Sequence, residues 1–197
     1  MRLPVRCLSI AACIAGLSGA VKAEQIDNPA YQSWAKFKPG TTVTYKQTTE
    51  MNMPAMAGMS RPESVMTEKL IDVKPDAAIV EITMETTIMG QKHTMPARQT
   101  EVPAKIDKDK EGVPPNMKGE IKDMKEGKDK VDVNGKSVDA TTREFTVVTT
   151  EPRAMTANIK IWSTPDVPGG MVKTISDVQE PMKATSTMTL VDFQPAK

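Results

Sequence analysis

The chain has 197 residues, of which 39% are hydrophobic and 26% charged, with a formal net charge of +1 and two cysteines. A protein that grips a phosphate backbone needs a basic patch, and this balance leaves none, so nucleic acid is excluded as a partner. Beyond the first 23 residues no stretch approaches the roughly 20 apolar residues that cross a bilayer as a helix.

The opening residues MRLPVRCLSIAACIAGLSGAVKA set Arg2 and Arg6 before an apolar run beginning at Cys7, the layout of a secretory signal peptide over residues 1–23, cleaved after Ala23. A second reading of the same leader takes Ile10, Ala11, Ala12 and Cys13 as a lipobox, with a lipid anchor on Cys13. Both cysteines, Cys7 and Cys13, lie in the leader, so the chain from Glu24 onward has no disulfide and no thiolate to act as nucleophile or ligand. That remainder, residues 24–197, carries 23 basic and 25 acidic side chains and is long enough for one β-rich domain with a substantial core. An exported protein, periplasmic or secreted, is expected.

The first element in chain order is a short helix over 29–37. Asn28 caps it, Pro29 suits its first position, and Lys38, Pro39 and Gly40 stop it. Tyr31, Trp34 and Phe37 recur every three residues and share a face; they are three of only seven aromatics, which marks that face as the one docked on a core. From Thr41 the apolar period becomes alternating, and 22 threonines with many valines favour strands. Strands are expected at 41–51, 63–73, 78–89, 94–106, 130–133, 136–151, 155–163, 171–179 and 183–193. The fold class is therefore all-β: about nine antiparallel strands in a curved meander or incomplete barrel, with one short N-terminal helix. In the strand from 78, Ala78, Val80, Ile82, Met84, Thr86 and Ile88 point one way, while Glu81, Thr83, Glu85 and Thr87 point to water. Lys74 to Ala77 forms a turn, and Asn134-Gly135 is the strongest hairpin signal. Between 105 and 130, eight lysines alternate with seven acids around two prolines and three glycines. This stretch reads as a charged surface excursion at about 107–129, with one helical turn from Glu120 to Lys125.

The stretch MNMPAMAGMS places Met51, Met53, Met56 and Met59 in the connection after the first strand. Counting reversals puts this connection at the same sheet end as the turn at 89–93, about 10 Å away, next to Met89, His93 and Met95. Thioethers are soft and need no deprotonation, so clustered Met can hold Cu(I) in an oxidising compartment. One reading is thus a copper site of Met51, Met53, Met56 and Met59 with His93, the single histidine. The other is a hairpin tip, because Pro54, Ala55, Ala57 and Gly58 are small or turn-forming and Met recurs along the chain.

Catalytic signatures are missing from the sequence. A Ser-His-Asp arrangement would have to use His93, and no G-x-S-x-G, G-x-G-x-x-G, P-loop or zinc-like spacing occurs. Glu81 and Glu85 read as solvated exterior charges on one strand face.

Four segments, WAKFKPGTTVTYK, KVDVNGKSVDAT, IWSTPDVPGGMVK and TLVDF, together resemble uncharacterised exported bacterial β-rich proteins that are loosely LolA-like, the lipoprotein-carrier half-barrels of the envelope. The resemblance implies a helix lying against an incomplete barrel whose apolar concave face receives acyl chains. It carries over no ligand residue. The expected function is a non-enzymatic exported binding or structural module without cofactor, whose partner is an apolar small molecule, a lipid or another envelope protein. The alternative is a periplasmic Cu(I)-binding protein that uses the loop at 51–59.

Overall fold

A computed structural model describes residues 24–51, 63–88, 90–108, 118–133, 135–151, 154–180 and 183–197. The leader with its two cysteines, and Met53, Met56, Met59, Met89 and Asn134, lie outside the described residues. In chain order the elements are β1 (Gln25–Asp27), α1 (Pro29–Trp34), β2 (Thr42–Met51), β3 (Glu63–Val73), β4 (Ala77–Ile88), β5 (Gln91–Pro103) and β6 (Lys105–Asp107). They continue with β7 (Lys118–Val133), β8 (Lys136–Glu151), β9 (Met155–Ser163), β10 (Met171–Glu180) and β11 (Ala184–Gln194).

Nine of these strands form one antiparallel sheet in the order β5-β4-β3-β2-β11-β10-β9-β8-β7. Two meanders, one from each half of the chain, are thus joined where β2 pairs β11, with Tyr45 opposite Leu190. The sheet stays open, with β5 and β7 as its edges. It is also strongly curled. If flat, its edges would stand eight spacings, about 38 Å, apart, yet Val102 of β5 and Met124 of β7 line the same cleft. Register shifts supply much of the bend, at Leu70/Asp72, Ile82/Met84, Leu190/Asp192 and Met171/Lys173. Pro96 sits inside the shift on edge strand β5, where no partner needs its missing N–H.

The helix α1 lies on the concave face. Asn28 caps it as expected, its side-chain oxygen accepting from the Ala30 N–H at 3.0 Å. The same residue anchors the helix to β5: its backbone N–H donates to Ala104 O at 2.9 Å and its amide to Pro103 O at 2.8 Å. The chain leaves α1 after Trp34 in a tighter turn, with Phe37 N–H donating to Trp34 O at 3.0 Å. Of the three aromatics, Trp34 is buried, while Tyr31 and Phe37 are partly buried against the same core of Val43, Tyr45, Leu70, Val80 and Leu190.

The loop between β9 and β10 is the seat of that helix. Gly169 and Gly170 take φ of +72° and +79°, and a Cβ on the first would lie 2.9 Å from Trp34 Nε1, on the second 2.8 Å from Ser33 Oγ. Glycine is needed here both for the left-handed backbone and for the close approach. Gly169→Ala is expected to lower stability by about 1–3 kcal/mol, seen as a lower urea midpoint. Gly90→Ala is the control, because Gly90 has φ of +79° with nothing within 4 Å; equal losses in both variants would show that contact with Trp34 contributes nothing.

Two regions depart from the sequence reading. Residues 118–129, expected in a charged excursion with a helical turn at Glu120–Lys125, instead belong to β7, a 16-residue edge strand. Its partner β8 is equally long and supplies the ladder, and several charges pair within β7 or across to β8, as Lys122 does with Glu120 and Arg143 Nε with Glu126 Oε1 at 3.0 Å. Two irregular steps interrupt the ladder, at Lys118/Gly119 and at Lys122/Lys125, and within the second Asp123 adopts φ of +55°. Strand β1 was also unforeseen; it exists through pairing with β6, Ile26 opposite Ile106.

On the sheet's reverse face, Trp162 is sandwiched by charge. Its Nε1 donates to Asp129 Oδ2 at 3.0 Å, and the ammonium groups of Lys160 and Lys173 stand 4.9 Å and 5.2 Å from its ring centroid. This contact ties edge strand β7 to β9. The indole hydrogen bond, followed by the Lys130 backbone N–H, holds the Asp129 carboxyl below its usual range.

Candidate functional site

Between α1 and the concave face runs an open cleft of about 640 Å3. Its roof is the helix, with Pro29, Ser33 and Trp34; the opposite wall is Phe145, Ile161 and Met171; Tyr45 and Glu68 line it from β2 and β3. The floor follows from strand pairing. Arg143 pairs Ile161 and Phe145 pairs Ile159, so alternate residues of β8 and β9 turn the same apolar rows toward the helix.

Three charged groups interrupt this lining, Glu68 and Arg143 from the sheet and Lys36 just past the helix. Glu68 occupies a position on the apolar face, flanked in register by Val43 and Ile82 and along its strand by Met66 and Leu70. Burial there pushes its carboxyl up to about 7. Tyr45, itself fully buried, donates its hydroxyl to Met171 O at 3.2 Å and is pushed up as well, first by burial and then by the nearby Glu68 charge. Arg143 is held from the outer side by Glu126. The arrangement is an apolar slot with a few fixed polar points, the general form of a small-molecule site.

Of the residues nominated from sequence, the two that are described fall elsewhere. Met51 ends β2 opposite Ala184 and is 43% exposed, and His93 lies exposed on edge strand β5 opposite Thr86. Strands β3 and β4 stand between them. Met53, Met56 and Met59 lie outside the described residues. Glu81 and Glu85 occupy the reverse face, Glu85 in an ion pair with Lys92 at 2.8 Å. Among the described residues no group of three or more His, Cys, Asp or Glu could hold a metal ion, and no helix is long and apolar enough to cross a membrane.

Glu68 and Arg143 were missed in the sequence, though a signal was present for the first. In ESVMTEKLIDV, Glu68 shares its parity with Met66 and Leu70, so an acid stands where the alternation calls for an apolar side chain.

No protein-family description matches the chain, and no curated protein does. Among solved structures the chain is similar to a proposed lipoprotein from Parabacteroides distasonis, at 14% identity and a TM-score of 0.46, with 80% of this chain and 96% of that one covered. It is also similar to a LolA superfamily protein from Nitrosomonas europaea, at 6% identity and a TM-score of 0.28, covering 85% and 92%. A DUF1329 family protein from Desulfovibrio piger aligns at 6% identity and a TM-score of 0.25, covering 84% and 91%. The LolA superfamily, which the sequence loosely resembles, is represented among these neighbours.

Proposed function

We propose that the chain is an exported, non-enzymatic binding protein whose cleft beneath α1 accepts the apolar part of an amphipathic molecule, a lipid acyl chain being the simplest occupant. The observation that carries this reading is the cleft itself. Its volume of about 640 Å3 falls in the range of roughly 300–1,000 Å3 typical of ligand pockets, and its walls are Trp34, Phe145, Ile161 and Met171. An open apolar surface of this kind gains free energy by covering itself, at roughly 25 cal/mol for each Å2 withdrawn from water. The leader at residues 1–23 supports delivery across a membrane to an envelope or extracellular space, where such ligands are handled.

The reading is tested on protein purified after expression of the full-length chain. Denaturing extraction and mass spectrometry are expected to release acyl species from the wild type, with at least a tenfold smaller yield from Ile161→Trp, whose indole intrudes on the cleft that Ile161 lines. Clean wild-type protein that also takes up no fluorescent fatty-acid probe after delipidation sinks the idea.

A further inference from the structure

Strand register assembles a second set of side chains at the outer part of the same concave face. Met66 of β3 pairs Met84 of β4, and Met84 pairs Met95 of β5, so three methionines stand abreast on adjacent strands. Tyr45 of β2 ends this row on the inner side. The next row out holds Gln47, Ser64, Thr86 and His93. His93 is therefore two residues from Met95 on the same strand face and diagonal to Met84. Opposed residues have Cβ atoms about 4.5–5.5 Å apart and diagonal neighbours about 7–8 Å, within the span of long side chains. The unbranched arms of Met66, Met84 and Met95 can carry three sulfurs to one point over β4, with the His93 ring beside them.

The chemistry of this group is selective. Three thioethers and one imidazole are soft or borderline ligands, and none is anionic, so the set suits a soft monovalent cation and not Ca2+ or Mg2+. Neighbouring charge does not oppose it. Lys92 is on the reverse face with Glu85 at 2.8 Å, and Arg98, in the row beyond, is exposed and separated from Met95 by the Pro96 irregularity. In the outer row Ser64 Oγ and Thr86 Oγ1 satisfy each other at 2.9 Å and so leave the sulfurs and the His93 ring as the available donors. Access is open on one side: Met95, on the sheet edge, is 53% exposed, while Met66 is held against the core.

We infer that Met66, Met84, Met95 and His93 form a Cu(I)-binding site on the concave face of β3, β4 and β5. The site is independent of the cleft and of what the cleft holds. It also lies at the sheet end where β2 gives way to β3 and β4 to β5, with Thr48 opposite Glu63 and Ile88 opposite Gln91.

The test is a competition titration of the purified protein with Cu(I) against a chromophoric chelator. One equivalent is expected to bind. Met84→Leu, Met95→Leu and His93→Gln should each weaken binding by roughly tenfold or more, as loss even of outer-shell partners does, while the variant with Met51, Met53, Met56 and Met59 all changed to Leu keeps its affinity. Leu preserves apolar volume, and Met95 is exposed, so at least Met95→Leu and His93→Gln remain folded and comparable by circular dichroism. A wild type that takes no copper from the chelator overturns the site and leaves the methionine row as apolar lining. Binding that disappears in the four-Met loop variant but survives in Met84→Leu and Met95→Leu overturns it too, by moving the ligands to the loop.

Discussion

Trp34→Ala is expected to remove about 3–5 kcal/mol of folding stability, the range for truncating a large buried aromatic. Trp34 is only 2% exposed, and it is the contact through which α1 joins the sheet core and the Gly169 turn. A domain of this size has a total stability of about 5–15 kcal/mol, so the variant should be marginal at 25 °C. Collapse around the void is limited, because the turn beneath is fixed by Gly170 N–H donating to Val167 O at 2.9 Å and Thr164 N–H to Gly170 O at 2.8 Å. The measurement is urea unfolding followed by fluorescence. The chain has two tryptophans, so Trp162 remains as the one indole in the variant and reports on the β7–β9 contact. A lower midpoint with unchanged slope means that helix and sheet unfold as one unit. An unchanged midpoint would mean that α1 is a separable cover, and the cleft beneath it would then have no fixed roof.

How much of this was legible depends on whether one face of an element is dry. In β4, Ala78 and Val80 are buried as the alternation foretold, because a central strand has a dry side and a wet side. Edge strand β7 has charged residues on both faces for most of its length, so its sequence shows no period and reads as loop. Its strand character comes from the long partner β8 and from Trp162 reaching Asp129, both remote in sequence. The same limit hid β1, three residues made into a strand by β6 about eighty positions later. Gly169 and Gly170 were visible as an unusual loop, but their purpose depends on Trp34, more than 130 residues earlier.

The site was less legible than the fold for a related reason. Met66, Met84 and Met95 are scattered in the sequence at intervals of 18 and 11, whereas Met51, Met53, Met56 and Met59 are adjacent and attract the eye. Pairing register, not proximity in sequence, decides which side chains share a face. The cleft likewise joins Tyr45 and Glu68 from one meander to Arg143, Phe145 and Ile161 from the other, a juxtaposition that exists only because the terminal strands β2 and β11 pair and the sheet curls.

Glu68→Gln is expected to raise the melting temperature by roughly 5–10 °C at pH 8 and to leave it near the wild-type value at pH 4. Burial raises the folded-state carboxyl from 4.5 to about 7, while in the unfolded chain it stays near its ordinary value. Between those two values the native state holds more protons than the unfolded one, so stability falls as pH rises from 4.5 toward 7, the reverse of a salt-bridged carboxylate. A shift of this size corresponds to about 3 kcal/mol, fully felt above the window and absent below it. The charged groups around the cleft do not cancel it: Arg143 is engaged by Glu126, Lys36 donates to Pro165 O at 3.2 Å, and Arg98 stands on the far side of Ile82 in the same row. Gln keeps the shape and removes the ionisation, so its melting temperature should be nearly flat across the window where the wild type declines. Parallel curves for the two proteins would show that water reaches Glu68 freely. If the cleft is the binding site, an apolar occupant excludes still more water from this carboxyl. Loading delipidated wild type with a fatty acid should then move the upper end of the window to higher pH, and the same loading should leave the Glu68→Gln curve without any such displacement.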